Sequence, residues 1–210
     1  KRENYENALD DFNKVLELDP DFFQAYSNLG ICYTKIGDHD KALENYNKAI
    51  SINSNDVISM SERAQIFINM GKDSLALKEL EKAISIDPDY DKSYAVRGLY
   101  YGQNGQYEKA LKDLEKGIQN NPNNFNIYIN LANVKHIMED YNGAIKALNK
   151  SIELNPVNPS AYLNRGLAKL MIGLKNEACK DLEMASNFGN SKAKGLIARY
   201  CGQGQLGIRN

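Results

Sequence analysis

Residues 23–56 read FQAYSNLGICYTKIGDHDKALENYNKAISINSND, and the same pattern returns every 34 residues along the chain. An alanine marks each step, at Ala8, Ala42, Ala76, Ala110, Ala144 and Ala178. A proline marks it again, at Pro20, Pro88, Pro122 and Pro156, with Ser54 at the remaining place. A fixed period of this length indicates one structural unit copied along the chain, which is a solenoid. Solenoids present an extended surface to a partner and seldom carry catalysis themselves.

Each unit is predicted to hold two helices. In the quoted stretch, apolar residues follow the three- and four-residue steps of a helix before Gly37 and again after it. Glycine tolerates the left-handed backbone that ends a helix, and Asp38 can cap the next helix. The glycine recurs at Gly71, Gly105 and Gly173, with Glu139 as the exception. The proline that closes each unit is expected to stop its second helix.

This register predicts the organisation of the whole chain. Five full units span 23–56, 57–90, 91–124, 125–158 and 159–192. Residues 1–22 form the second helix of a truncated unit, residues 193–201 a capping helix, and residues 202–210 a flexible tail.

Small residues at two places in the unit indicate how its helices pack. The first helix carries Gly30, Ala64, Gly98, Ala132 or Gly166, and the second carries the repeated alanine. Two helices approach closely where both present small side chains, and larger residues fill the space beside the contact. The second helix of each unit is therefore expected to lie against its first helix at these residues.

The unit resembles the tetratricopeptide repeat, or TPR, with its W-x2-L-G-x2-Y, A-x3-F and P pattern. Here Tyr26-x2-Leu29-Gly30-x2-Tyr33 is followed by Ala42-x3-Tyr46, with tyrosine in place of tryptophan. The resemblance covers nearly all of residues 1–192. It implies an all-α, right-handed superhelix of helix pairs, in which first helices line a concave groove that holds peptides.

Composition and motifs argue against several other functions. A net charge of −1 does not favour nucleic-acid binding, and no apolar run is long enough to cross a bilayer. The GxGxxG at 202–207 has no following helix, and His39 and His136 lack partners at metal or triad spacing. We therefore predict no catalysis, no cofactor and no metal. Cys32, Cys179 and Cys201 are predicted to be free thiols packed as small hydrophobes, which fits a reducing compartment.

Three arginines stand where the family usually has leucine, each sixteen residues before an acid. The pairs are Arg63 with Glu79, Arg97 with Asp113, and Arg165 with Asp181. The two units with leucine at this place, Leu29 and Leu131, have Asn45 and Ala147 instead of an acid. This co-occurrence predicts internal ion pairs between the two helices of a unit, and a row of anion-binding arginines is the alternative.

The groove is the candidate functional surface. An asparagine that faces it can donate to and accept from a peptide backbone without reading its sequence. We predict that an extended segment is held by Asn28, Asn126, Ile129, Asn130, Asn133, Leu163, Asn164 and Leu167. Two alternatives stay open: asparagine is common at these places in ordinary TPRs, and the apolar C-terminal part of the groove can instead seat the capping helix.

The function predicted from these features is that of a non-catalytic scaffold or adaptor that binds a protein or peptide. The alternative is a regulatory or substrate-recruiting arm of a larger enzyme, such as a glycosyltransferase, kinase or protease. In the truncated unit, Tyr5, Leu9 and Phe12 belong to a face that a first helix would cover. We therefore expect a second copy of the chain, or a further domain of the full-length protein, to cover this face, because burying one large apolar side chain contributes roughly 1.5–3 kcal/mol.

Overall fold

The computed structural model describes residues 2–202, with side chains from Tyr5 onward, and these residues form twelve α-helices and no strand. The helices are α1 (Arg2–Leu18), α2 (Phe23–Ile36), α3 (His39–Ile52), α4 (Val57–Asn69), α5 (Asp73–Ile86), α6 (Asp91–Gln103), α7 (Tyr107–Asn120), α8 (Phe125–Ile137), α9 (Tyr141–Leu154), α10 (Pro159–Met171), α11 (Lys175–Asn187) and α12 (Ser191–Tyr200). The predicted all-α helical repeat fold is confirmed. Within the described part of the chain, no helix is both long and apolar enough to span a membrane.

The chain divides into two compact units. Unit 1 is Lys1–Arg97 and unit 2 is Gly98–Asn210, so the division falls inside α6. The core of unit 1 includes Ala42, Tyr46 and Ile66, and a second cluster around Ala64 and Leu80. The core of unit 2 includes two clusters, one around Ala144 and Leu148 and one around Leu182 and Ala193. In both units the repeated alanine of each full repeat is completely buried.

The helix ends follow the markers in the sequence. α1, α5, α7 and α9 each end two residues before the proline, and α3 ends two residues before Ser54. Gly37 takes a left-handed φ of 93° after α2, and the side chain of Asp38 accepts a hydrogen bond from the backbone N–H of Lys41. Glu139 also takes a left-handed φ of 61°, although it lacks the freedom of glycine. The turn geometry is therefore imposed by the helix pair even where the sequence has no glycine.

Glycine sets the closest helix–helix approach. A Cβ added at Gly30 would lie 2.6 Å from Cδ1 of Tyr46, so the tyrosine ring occupies the place of a side chain. In unit 2, a Cβ on Gly166 would lie 3.2 Å from the carbonyl oxygen of Ala178. These contacts confirm that the small residues of the first helix face the second helix of the same repeat.

Two of the three predicted ion pairs are present. Nε of Arg63 donates to Oε2 of Glu79 at 2.8 Å, and Nε of Arg165 donates to Oδ2 of Asp181 at 2.9 Å. In both arginines the second terminal nitrogen bonds the other carboxylate oxygen, which makes the pairs bidentate. The third pair joins residues on either side of the division between the units, and it stays a prediction.

Each of these two arginines also contacts a third helix, which the sequence pattern did not predict. Nη1 of Arg63 donates to Oδ1 of Asn47, and Nη1 of Arg165 donates to Oδ1 of Asn149. Both asparagines lie sixteen residues before the arginine, on the second helix of the preceding repeat. Each guanidinium therefore links the first helix that carries it to two second helices, the one before it and the one after it in the sequence.

The prediction of three free thiols is wrong for two of them. Cys179 on α11 and Cys201 at the end of α12 form a disulfide with a Cα–Cα distance of 5.8 Å. The 22-residue separation carries no recognisable spacing, because the pairing depends on α12 folding back along α11. Cys32 is free and buried as predicted, and burial raises the pKa of its thiol.

The outer face of α1 is less covered than the equivalent faces of later repeats. Ala8 is half-buried, whereas the repeated alanines of the five full repeats are completely buried. Self-association through this face stays a prediction. The predicted tail, with its GxGxxG at 202–207, lies outside the described residues apart from Gly202.

Candidate peptide-binding face

The first helices of unit 2 that carry most of the predicted site residues are α8 and α10. Both begin at an asparagine cap: Oδ1 of Asn124 accepts from the backbone of Asn126, and Oδ1 of Asn158 accepts from the backbone of Ser160. Pro159 is the first residue of α10. A backbone N–H at this position has no partner within the helix, so its absence in proline costs no hydrogen bond. These caps set where α8 and α10 begin. We call the exposed surface of α8 and α10 that includes Asn133 and Asn164 the first-helix face of unit 2.

A cavity of about 260 Å³ opens between α8, α9 and α10. It is lined by Ala132, Asn133, His136, Ile137, Ala144, Leu148, Asn164 and Leu167. Three of these, Asn133, Asn164 and Leu167, are predicted site residues. The walls are mostly aliphatic, and the polar groups are two amides and one imidazole.

The two amides bind each other across neighbouring repeats. Nδ2 of Asn164 donates to Oδ1 of Asn133 at 2.8 Å, and the pair is partly buried. The imidazole ring of His136 is also positioned by a neighbour, since it meets the ring of Tyr141 edge-on with centroids 5.1 Å apart. The polar groups at the cavity are thus held in place by contacts within unit 2.

Four other predicted site residues lie elsewhere. Ile129 packs against the core cluster of Ala132 and Ala161, and Asn126 is exposed at the start of α8. Asn130 is half-buried on α8, and Asn28 lies in unit 1. The structure therefore brings together Asn133, Asn164 and Leu167 but does not place these four at the cavity.

Leu163 supports the alternative that apolar residues of this face seat the capping helix. It is 9% exposed and belongs to the cluster that includes Ala193, with Leu196 and Ile197 packed against it. Leu167 packs against the same cluster and also lines the cavity. The apolar end of the face is thus divided between seating α12 and lining an open space.

Ala132, Ala144 and Leu148 line the cavity, although the sequence pattern predicted only a packing role for the two alanines and none for Leu148. The sequence provides only an indirect indication of this part of the cavity. One place on the first helix is buried in all five full repeats, and it holds Cys32, Ile66, Tyr100, Val134 and Ala168 in turn. Alanine, in the last repeat, is the smallest of these residues. Ala168 packs in the same core cluster as Ala132, Ala144 and Leu148 but does not itself line the cavity.

The corresponding helices of unit 1 bond their polar groups to one another. The hydroxyls of Ser27 and Ser59 lie 2.7 Å apart, and those of Ser61 and Ser93 lie 2.8 Å apart. Ser27 also donates to Asp56, and Lys92 donates to Glu62. Successive first helices in unit 1 are therefore joined by buried hydroxyl pairs, whereas unit 2 has apolar residues at the matching places, which are Ile127, Ile129 and Ala161.

Glu62 also influences the phenol groups of two tyrosines in unit 1, the buried Tyr46 and the half-buried Tyr90. Burial raises the pKa of Tyr46 and of Tyr90 above the usual tyrosine value, and the Glu62 carboxylate raises both further. Both phenols are therefore neutral at physiological pH. Among the described residues, no cluster of three or more His, Cys, Asp or Glu side chains could hold a metal ion.

Comparison with family models finds one repeat type across the chain. Models described as "Tetratricopeptide repeat" match residues 23–56, 92–124, 114–146 and 59–90, and one described as "TPR repeat" matches 1–37 and 133–173. A comparison with curated proteins found no match to the sequence.

Solved structures show the same fold at low identity. The APC/C hetero-tetramer Cut9–Hcn1 has a chain with a TM-score of 0.84 and 17% identity, matched over 94% of this chain and 40% of that one. This protein therefore spans less than half of that relative. A thermophilic TPR protein from Thermus thermophilus has a TM-score of 0.74 and 20% identity, over 86% and 97% of the two chains. YrrB, described as a TPR protein with an unusual peptide-binding site, has a TM-score of 0.56 and 18% identity, over 90% and 97%.

Proposed function

Because the chain belongs to the tetratricopeptide repeat family, whose members generally mediate protein–protein interactions, we propose that it is a non-catalytic scaffold that binds an extended protein segment on the first-helix face of unit 2. The observation that carries this proposal is the cavity flanked by the Asn133–Asn164 amide pair. An open apolar space beside fixed amides is the combination that an extended peptide needs for side-chain and backbone contacts.

The amide-rich surface suits a backbone rather than a charged ligand. An asparagine has two donors and one acceptor oxygen, so it can satisfy both groups of a peptide unit. The half-buried Asn130 and Asn164 supply such groups on neighbouring first helices. A buried amide left without its partner costs about 1–3 kcal/mol, so losing two contacts should be measurable in affinity.

The test is a selection of random twelve-residue peptides displayed on phage against the immobilised chain. Selected peptides are then titrated against the native protein and against the double variant Asn130→Ala with Asn164→Ala. We expect at least a tenfold loss of affinity with the helical content unchanged, because about 1.4 kcal/mol corresponds to a factor of ten.

The matched control is Asn142→Ala with Asn187→Ala, which removes two exposed asparagines from the second helices of unit 2. This control should bind the selected peptides as the native protein does. If the control loses binding while the first-helix variant keeps it, the working surface is on the second helices and the proposal is wrong.

A further inference from the structure

We propose that the cavity between α8, α9 and α10 is a specificity pocket that accepts one large uncharged apolar side chain, of the leucine, isoleucine, methionine or phenylalanine class, from the bound segment. This inference rests on the proposed function, since it names what the first-helix face reads in its partner. A single side chain of the bound segment would occupy the cavity.

The core beside the cavity has a smaller side chain at one place than the matching cores of the other repeats. A Cβ on Gly102 would lie 2.5 Å from Cγ2 of Val134, so the residue at the place of Val134 packs onto the place of Gly102 one repeat earlier. One repeat further along, the matching residues are Ala168 and His136. Alanine carries less side chain than the valine, tyrosine, isoleucine or cysteine at the same place in other repeats. Ala168 is completely buried in the core cluster that includes Ala132, Ala144 and Leu148, and these three residues line the cavity.

The size and walls of the cavity fit one apolar side chain. An engineered cavity of about 150 Å³ with aliphatic and aromatic walls binds benzene, so about 260 Å³ has room for a leucine or phenylalanine side chain. The eight lining residues include no carboxylate, lysine or arginine. A charged side chain would lose its water there without gaining an opposite charge, and it would be excluded.

The amide pair at the wall is positioned to hold the backbone of the same residue. Because Nδ2 of Asn164 donates to Oδ1 of Asn133, the pair presents the carbonyl oxygen of Asn164 and the amide hydrogens of Asn133 to a ligand. One acceptor and one donor side by side complement the N–H and C=O of a peptide unit. The pocket and the pair therefore recognise a side chain and its own backbone together.

The rim of the pocket is apolar where the earlier repeats are polar. Ile137 is 49% exposed and Met171 is 58% exposed, at the place where α2 and α4 carry Lys35 and Asn69. Exposed apolar side chains beside a cavity are typical of binding surfaces. Of these two residues Ile137 lines the cavity, so it forms the exposed apolar rim of the pocket.

The experiment uses the whole chain, labelled with ¹⁵N, and N-acetyl-leucine methylamide as the probe. We expect the leucine probe to shift the amide signals of Asn133, Ile137 and Leu167, and to bind at least ~10-fold more tightly than N-acetyl-alanine methylamide, because larger apolar side chains gain more from an apolar pocket. N-acetyl-glutamate methylamide should not shift these signals.

Two variants at equivalent places test the location. Ile137→Trp places a large ring at the exposed rim and should weaken the leucine probe at least tenfold. Asn69→Trp makes the same change at the matching exposed place in unit 1 and should leave binding unchanged. Equal binding of the leucine and alanine probes, no binding of either, or full binding to the Ile137→Trp variant would each overturn the pocket.

The outcome is separable from the test of the proposed function. If selected peptides bind the first-helix face and lose affinity with Asn130→Ala and Asn164→Ala, while the leucine probe does not bind, the face functions without a side-chain pocket. If the probe binds but no peptide is selected, the pocket exists and the scaffold proposal fails.

Discussion

Arg63 and Arg165 each tie three helices together with one side chain. A guanidinium suits this role because it is planar, permanently charged and carries five donors in a fixed arrangement. Its bidentate carboxylate lies on the second helix of its own repeat, and its amide acceptor lies on the second helix of the repeat before. One difference between the two sites is that Asp181 also has Lys169 at 3.0 Å.

This difference predicts unequal costs for the same change. Arg63→Leu leaves the Glu79 carboxylate, 18% exposed, without its bidentate partner and should destabilise the protein by about 1–3 kcal/mol. Arg165→Leu should cost less, because Lys169 stays beside Asp181. Urea unfolding of the two variants measures the difference.

The control for this prediction is the double variant Arg63→Leu with Glu79→Asn, which copies the native combination of Leu29 with Asn45. It should recover at least half of the lost stability. A double variant no more stable than Arg63→Leu, or equal costs at the two sites, would show that the carboxylate is not the origin of the loss.

At the scale of elements, α12 is too short to be stable in isolation. It has only ten residues, and isolated helices of this length are marginal in water. Ala193 is completely buried against unit 2, Leu196 and Ile197 pack on the same cluster, and the Cys179–Cys201 disulfide ties its end to α11. The capping helix is therefore held by packing and by one covalent bond.

Removing that bond should loosen α12 while the rest of the chain stays folded. For a closed loop of about 22 residues, chain entropy gives a disulfide roughly 3 kcal/mol of stabilisation. In Cys179→Ala with Cys201→Ala, we expect hydrogen exchange within α12 to become faster by about two orders of magnitude. Exchange in α2–α5 serves as the internal control, since these helices lie in unit 1. Unchanged exchange in α12 would mean that packing alone holds it.

At the scale of the whole molecule, the constant 34-residue step makes one repeat replaceable by the next. The segment Asn121–Asn124 reads Asn-Pro-Asn-Asn, and Asn155–Asn158 reads Asn-Pro-Val-Asn. Asn124 caps α8 and Asn158 caps α10 by the same side-chain bond. A chain that lacks residues 125–158 would therefore join Asn124 to Pro159 with the cap of α10 preserved.

We expect this shortened chain to fold with the helical content per residue of the native protein. Its stability should be lower, because a solenoid sums the contributions of its repeats and their interfaces. The leucine probe should no longer bind, since α8 and α9 supply all the residues that line the pocket except Asn164 and Leu167. Circular dichroism and the probe titration check the two expectations.

The control is a deletion of residues 125–141, which is half a period. It removes α8 and would place two second helices, α7 and α9, next to each other in sequence. That chain should lose cooperative unfolding, because the two helices have no first helix between them to pack on. If both deletions fold equally well, the period does not set the packing.

The sequence predicts the features that repeat and misses those that occur once. Helix ends and the Arg63–Glu79 and Arg165–Asp181 pairs follow from places that recur in register, so a single chain contains its own comparison. The disulfide and the Asn133–Asn164 bond depend on how one particular helix lies against its neighbour. The cavity depends on how α8, α9 and α10 pack around its eight lining residues, which the sequence pattern alone does not show.

The disulfide also determines whether a single proteolytic cut near the end of the described chain would release α12. The turn between α11 and α12 contains Phe188, Gly189 and Asn190, and it lies between Cys179 and Cys201. A protease that cuts there leaves α12 bound through sulfur, so the nicked protein migrates as one species on a denaturing gel until a reductant is added. Cleavage at the turn before α11, outside the disulfide-closed loop, would give two separate bands at once, so the same enzyme would give different products on the two sides of Cys179.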